Sequence, residues 1–233
     1  MVDHIYVINL DRRGDRWKYM KKHMKKFKLD VERISAVDGN NLENPKKNPM
    51  KLPLKYWNKY ALGLVQTLHK VIVDAREKKY KNILIFEDDV ILDKNFNKLL
   101  KKYMNLLPSK WDIVQLSAGN HKEPVQYVND NLFRTKHALG TYAMLVHSRC
   151  FDDFIRITGW ELGPADDTIR LLQLRGHCYM FYPGIVTPKA GYSDIIGENI
   201  DYASFIEYKR NGYIEKLINA VYKLKGKKRL VQI

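Results

Sequence analysis

Four apolar, β-prone residues, Ile83, Leu84, Ile85 and Phe86, run straight into three acids, Glu87, Asp88 and Asp89. No other stretch restricts the fold as tightly. The apolar run predicts a buried strand. Burying unpaired charge is expensive, so the strand must end in a polar cleft or its acids must meet a cation. A hard divalent cation bound with a nucleotide diphosphate satisfies such acids well, because Mg and Mn take oxygen ligands from carboxylates and phosphates together. A solvated acidic turn is the plainer alternative, and spacing alone leaves both open. Side chains alternate along an extended segment. That puts Glu87 and Asp89 on one side and Asp88 on the other, unless a turn begins at Asp88.

The flanking sequence predicts alternating strands and helices. Residues 4–10 read as a strand, followed by a polar turn in which Asp11 or Asp15 can cap the next helix. Trp17, Met20, Met24 and Phe27 recur at helical spacing and place that helix's end near Lys28. Residues 31–37 read as a second strand, closed by Asp38-Gly39, which gives a βαβ unit. A proline- and lysine-rich loop over 40–53 precedes the helical stripe Ala61, Leu64, Val65, Leu68, Val71, Ile72 and Ala75. After the acid-tipped strand come a helix stopped by Pro108, a strand over 112–117, an irregular stretch with a short hairpin, and a strand over 139–147. A short helix, a second one over 168–175, a strand over 178–182 and a loop over 183–199 follow. This alternation predicts an α/β fold with a largely parallel sheet. Ligands in such sheets bind at the carboxyl ends of strands, which is where residues 87–89 lie.

The 233 residues suit one domain over 1–200 with a basic helical extension over 201–233, and 45% hydrophobic residues indicate a globular chain. The formal charge of +15 is spread as lysine along the chain. It suits anionic partners in general. No helix-turn-helix, zinc-finger or single-strand-binding signature is present, so nucleic acid is not an expected partner. Cys150 and Cys178 have no CxxC spacing, which argues against a zinc site or a disulfide scaffold. No apolar run approaches the roughly 18 residues of a membrane span, and the N-terminus reads as a strand rather than a signal peptide. The expectation is a soluble, intracellular protein; the basic C-terminus, where Ile214, Leu217, Ile218 and Val221 line one helix side, reads as a core-packed helix with a solvated lysine tail or, as the second reading, as a peripheral membrane contact.

Three further groups carry candidate chemistry. Asp166-Asp167 reads as a helix N-cap and as a general base for an acceptor hydroxyl, two compatible readings, since one Asp can cap while its neighbour faces the cleft. Arg12, Arg13 and Arg16, with Asn9 and Leu10 at the end of the first strand, can reach phosphates or form a solvated turn. Asp38-Gly39 can bind a ribose or base edge or make a plain turn. Ser193-Asp194 is a similar polar pair in the late loop.

Together these segments resemble family 25 glycosyltransferases. The matching pieces are Ile8-Asn9-Leu10 with Arg12 and Arg16, Ala36-Val37-Asp38-Gly39, residues 83–90, Thr141-Tyr142, Pro164 with Asp166, and Ser193-Asp194-Ile195. The resemblance implies a GT-A-like nucleotide-sugar-binding fold: a central, mostly parallel mixed sheet flanked by helices. It implies a UDP-sugar donor of galactose or glucose, Mn2+ or Mg2+, an inverting transfer, and a glycan or hydroxylysine-type acceptor. Asp89, Glu87 and Asp88 match the metal motif, and Glu87 and Asp88 also face the donor. Asn9, Leu10, Arg12, Arg16, Asp38, Gly39, Ser193 and Asp194 match the nucleotide-sugar end. Asp166, with Asp167 beside it, takes the role of base. Many members of that family carry a histidine where this chain has Leu68; His69 comes one residue late and is turned about 100° around a helix. The competing readings are a metal-dependent phosphohydrolase on the same acids and a degenerate, non-catalytic module of the same fold.

Overall fold

A parallel βαβ unit opens the chain: β1 (His4–Asn9), α1 (Gly14–Lys26) and β2 (Glu32–Ser35). Helix α2 (Lys59–Glu77) then returns the chain to β3 (Asn82–Glu87), which pairs in parallel with the other edge of β1. The structure is a computed structural model and describes residues 2–118, 120–121, 123–201, 220–221 and 223. Past β3 come β4 (Val90–Leu92), α3 (Phe96–Met104) and β5 (Ile113–Gln115). The next strands are β6 (Asn120–His121), the hairpin of β7 (Gln126–Asn129) and β8 (Leu132–Arg134), β9 (Ala138–Leu139) and β10 (Ala143–His147). Helices α4 (Phe151–Gly159) and α5 (Ala165–Gln173) lead to β11 (Cys178–Phe181), β12 (Val186–Pro188), β13 (Gly191–Ser193) and β14 (Glu198–Ile200).

Eight strands form the central sheet in the order β2-β1-β3-β10-β5-β11-β8-β7. Strands β10 and β8 run antiparallel to both of their neighbours, and the rest run the other way. The architecture is the expected α/β one, a mostly parallel mixed sheet with helices on both faces. Period-two alternation explains why both faces are apolar. From β3, Ile83 and Ile85 join the cluster built by α2, α4 and α5, with Leu68, Ile72 and Phe154. Leu84 and Phe86 join the opposite cluster, built by α1 and α3 with Met20, Met24 and Phe96. All four β3 side chains are 0% exposed. Burying each contributes roughly 1.5–3 kcal/mol.

The strand directions place the site. Because β1, β2 and β3 are parallel, their carboxyl ends lie side by side and bring Asn9, residues 36–39 and the acids of 87–89 together. Because β10 is antiparallel to β3, its amino end lies beside the same acids: Ala143 is opposite Phe86, and Glu87 N–H donates to Tyr142 O at 2.9 Å.

Several local expectations change. Neither Asp11 nor Asp15 caps α1; the position before the helix is Arg13, without a side-chain cap bond. The Asp11 carboxylate instead accepts from Arg33 and Ser35 at the end of β2. Helix α5 starts at Ala165, so Asp166 and Asp167 lie in its first turn and not at the N-cap, which is Pro164. The strand expected over 139–147 breaks at Gly140, whose φ is +130°. The late loop contains β12 and the β13–β14 hairpin. The expected C-terminal helix and basic tail fall largely outside the described residues; Ala220, Val221 and Lys223 are helical. Among the described residues no helix is long and apolar enough to cross a membrane.

Candidate functional site

At the carboxyl ends of β1 and β3 the molecule holds a cavity of about 750 Å³. That volume suits a cofactor- or nucleotide-sized ligand. Asn9, Leu10, Arg16, Gly39, Glu87, Asp88, Asp89, Asp166, Asp167, Ser193 and Asp194 all line it. Arg12 and Asp38 do not. Their side chains pair with each other at 2.8 Å beside it, and Asp38 also caps a short 3₁₀ turn by accepting from Asn40 N–H.

The three acids separate by role. Strand β3 ends at Glu87, and a turn starts at Asp88. The alternation expected to group Glu87 with Asp89 therefore stops, and Asp88 and Asp89 converge instead. Arg16 Nη1 donates to Asp88 Oδ1 at 2.9 Å and to Asp89 Oδ2 at 3.0 Å. The buried Asp88 also accepts from Asn9 Nδ2 at 2.6 Å, tying the ends of β1 and β3 together. Glu87 turns toward the start of β10, where Thr141 Oγ1 donates to it at 3.0 Å. Burial first, and then the negative charge of Asp89, pushes the Glu87 carboxyl above its ordinary range. Burial likewise raises Asp89, against the pull of Arg16. Burial and mutual repulsion raise these carboxyls despite the pull of Arg16 and Arg13 on Asp89, so added positive charge would favour their ionised form.

That gives a direct test of fit for a divalent cation. Among the described residues no group of three or more His, Cys, Asp or Glu side chains is arranged as a cation site. Cations that travel with nucleotides need only one or two protein carboxylates, because phosphates supply other ligands. Asp88 and Asp89 offer two carboxylate oxygens about the single point now held by Arg16 Nη1. The donor set fits Mn2+ or Mg2+ in chemistry and in convergence.

On α5 the second acidic pair meets the same cavity. Gly140 N–H donates to Asp166 Oδ1 at 2.7 Å, and His137 Nε2 lies 3.1 Å from Asp167 Oδ1. Gln173, further along α5, bonds both backbone groups of Ala138 and fixes β9 against the helix. Gly140 is required here: besides its positive φ, a Cβ would lie 2.8 Å from the Tyr142 ring.

The β13–β14 hairpin closes another wall. Asp194 accepts from Arg12 and Arg13 at 2.8 Å each, and Arg16 Nη2 donates to Tyr192 O. The start of α1 thus straps this hairpin to the site. Lys189 also lines the cavity, with its ammonium 4.7 Å from the Tyr19 ring centroid. Sequence reasoning missed Lys189 and His137: one lysine among many and one isolated histidine carry no spacing signal.

A family model described as "Glycosyltransferase family 25 (LPS biosynthesis protein)" matches residues 2–154. The chain belongs to glycosyltransferase family 25. The match takes in the acids of 87–89; Asp166, Lys189 and Asp194 lie beyond it. Relatives include the "Procollagen lysyl hydroxylase and glycosyltransferase" of Acanthamoeba polyphaga mimivirus, 25% identical over 199 residues, which are 74% of this chain and 22% of that one. "Procollagen galactosyltransferase 2" of Homo sapiens is 24% identical over 161 residues, 62% of this chain and 26% of that one. "Probable inactive glycosyltransferase 25 family member 3" of Rattus norvegicus is 26% identical over 127 residues, 49% of this chain and 22% of that one. The chain spans about a quarter of the length of these curated relatives.

In this family 25 chain, α2 supports the pocket through small contacts. A Cβ on Gly63 would lie 2.6 Å from Val37 O, so glycine lets the helix approach residues 36–39. Thr67 Oγ1 accepts from Val37 N–H at 2.9 Å and donates to Gly63 O at 2.7 Å. Leu68, where the resemblance expects histidine, is packed in the core, and His69 Nδ1 lies 2.9 Å from Thr158 Oγ1, outside the cavity lining. Thr67→Val removes the partner of the Val37 N–H and should cost about 1–3 kcal/mol in urea denaturation. Thr67→Ser should restore most of that loss.

Proposed function

We propose that this chain transfers a hexosyl group, galactose or glucose, from a UDP-sugar to a hydroxyl of a glycan or hydroxylysine-type acceptor, with inversion at the anomeric carbon. The observation that carries the reading is the convergence of the Asp88–Asp89 pair and the Asp166–Asp167 pair on one nucleotide-sized cavity. In this reading Asp89 and Asp88 hold Mn2+ or Mg2+, with Glu87 beside them. The cation, when bound, screens the diphosphate and stabilises it as a leaving group. Arg16 and Lys189 add positive charge on the same wall, and Asn9, Leu10 and Gly39 face the nucleotide.

Asp166 is the base. The acceptor oxygen forms its bond to the anomeric carbon as the carbon–oxygen bond to the diphosphate breaks; the hydroxyl proton passes to Asp166, and UDP leaves. The Gly140 N–H holds one oxygen of that carboxylate and fixes its direction. His137 keeps Asp167 engaged beside it. Lys189→Ala removes a cavity cation without touching the acids. It should raise the donor KM roughly tenfold, the worth of one charge-assisted hydrogen bond, with a smaller change in kcat.

One feature favours a non-catalytic reading: Leu68 is buried at the position where the family resemblance implies histidine. A transfer assay separates the two. The chain is incubated with UDP-galactose or UDP-glucose, MnCl₂, and either a hydroxylysine-containing collagen-type peptide or a lipooligosaccharide. Mass spectrometry then reads the acceptor. A gain of one hexose supports transfer. Unmodified acceptors in every combination contradict it.

A further inference from the structure

The exterior of α1 and α3 carries a charge pattern that the site does not use. Residues 16–29 contain no Asp or Glu, and neither do residues 94–110. Lys18, Lys21, Lys22, Lys25, Lys26 and Lys28 are exposed on the first segment. Lys94, Lys98, Lys101 and Lys102 are exposed on the second.

The two helices form one face. Asn97 Nδ2 donates to Phe27 O at 2.8 Å, and the Phe27 and Phe96 rings meet edge-on at 6.3 Å. Helical spacing of three and four residues sets Lys18, Lys22 and Lys26 in one row with Lys21 and Lys25 beside it. Lys94, Lys98 and Lys102 continue along α3. Where the rows meet, a groove of about 380 Å³ is lined by Lys26, Phe27, Lys28, Lys94 and Asn97.

Among the described residues none of these lysines has a carboxylate partner. Elsewhere, Lys55 holds Glu198 and Lys78 holds Glu32 and Asp74. Like charges at helical spacing repel and destabilise the helix that bears them. A row without counter-charge therefore gains from an anionic partner.

We propose that the α1–α3 face docks on an anionic phospholipid bilayer, with a headgroup phosphate in the groove between Lys26, Lys28 and Lys94. The chemistry favours lipid over nucleic acid. The face is built of lysine, whereas Arg16 points inward to Asp88 and Asp89. Trp17, Tyr19 and Phe27 are half-buried and offer no exposed stacking platform of the kind single strands use. Juxtaposed lysines act additively on an anionic surface without needing a defined pocket for each. Docking would also leave the catalytic cavity close to the bilayer. Arg16 touches the cavity acids from the first turn of α1, and Lys26 stands about 15 Å further along the same helix. The proposal does not depend on the donor or the acceptor.

Co-sedimentation of the full chain with vesicles tests it. Phosphatidylcholine vesicles containing phosphatidylglycerol should bind the protein, pure phosphatidylcholine should not, and added salt should weaken binding. The variant Lys21→Glu, Lys25→Glu, Lys98→Glu, Lys102→Glu should lose vesicle binding by about tenfold or more. The charge-matched control Lys46→Glu, Lys47→Glu, Lys51→Glu, Lys79→Glu should bind as wild type does, and both variants should keep the wild-type circular dichroism spectrum. Equal loss in the two variants, or no loss in the first, overturns the proposal. So does a wild-type chain that binds duplex DNA tightly and ignores anionic vesicles.

Discussion

Asp166→Asn should cut hexosyl transfer by about 10²–10⁴-fold, the usual contribution of a positioned general base. It should leave UDP-sugar affinity and melting temperature near the wild-type values. Asparagine keeps an oxygen that can accept from Gly140 N–H, the 2.7 Å bond that aims the wild-type carboxylate. What it loses is the ability to take a proton. Asp167→Asn is the natural comparison, because Asp167 faces His137 in the same helical turn. It should cost much less. A normal rate for Asp166→Asn together with a collapsed rate for Asp167→Asn would move the base one residue along α5. Calorimetric donor titration and steady-state kinetics on both variants decide the matter.

Asp89→Asn should weaken Mn2+-dependent UDP binding by roughly 100-fold or more, since carboxylate charge sets the affinity of such oxygen sites. The protein should melt no lower than wild type, because burial already disfavours the charge at this position. Asp88→Ala should also weaken Mn2+-dependent UDP binding and, unlike Asp89→Asn, should lower stability as well. Asp88 accepts from Asn9 at the end of β1 and from Arg16 on α1. Its removal leaves one N–H of the buried Asn9 amide unpaired, while the other still donates to Arg13 O, and should cost about 1–3 kcal/mol of stability. Measuring melting temperature and UDP affinity for both variants separates Asp89, which serves the ligand, from Asp88, which serves both ligand and fold. Equal losses of stability would contradict that division.

The acid-tipped strand shows how far sequence reaches. The run from Ile83 to Phe86 was legible because continuous β-prone, apolar residues have few alternatives to a strand buried on both faces. Its position at a carboxyl edge followed from the βαβ alternation. The grouping of the acids did not follow, because alternation holds only while the chain stays extended, and the turn begins at Asp88. Asp166 and Asp167 were visible as an acidic pair near a helix start. Whether they capped it or faced a cavity depended on the helix beginning at Ala165 rather than later. The arginines were harder. Arg12, Arg13 and Arg16 offer cations to any anion, and their carboxylate partners lie as far away in sequence as Asp194. Nothing local specifies such pairs. Lys189 is harder still, since only the return of the chain through β12 brings it to the cavity.

Turnover of the donor itself is the most direct measurement. The purified chain is mixed with a panel of UDP-sugars and MnCl₂, with and without acceptor, and UDP release is followed before and after EDTA. The account predicts release with UDP-galactose or UDP-glucose, faster with acceptor, stopped by EDTA and restored by added Mn2+. Absence of release with every donor and acceptor, or release untouched by EDTA, would contradict it.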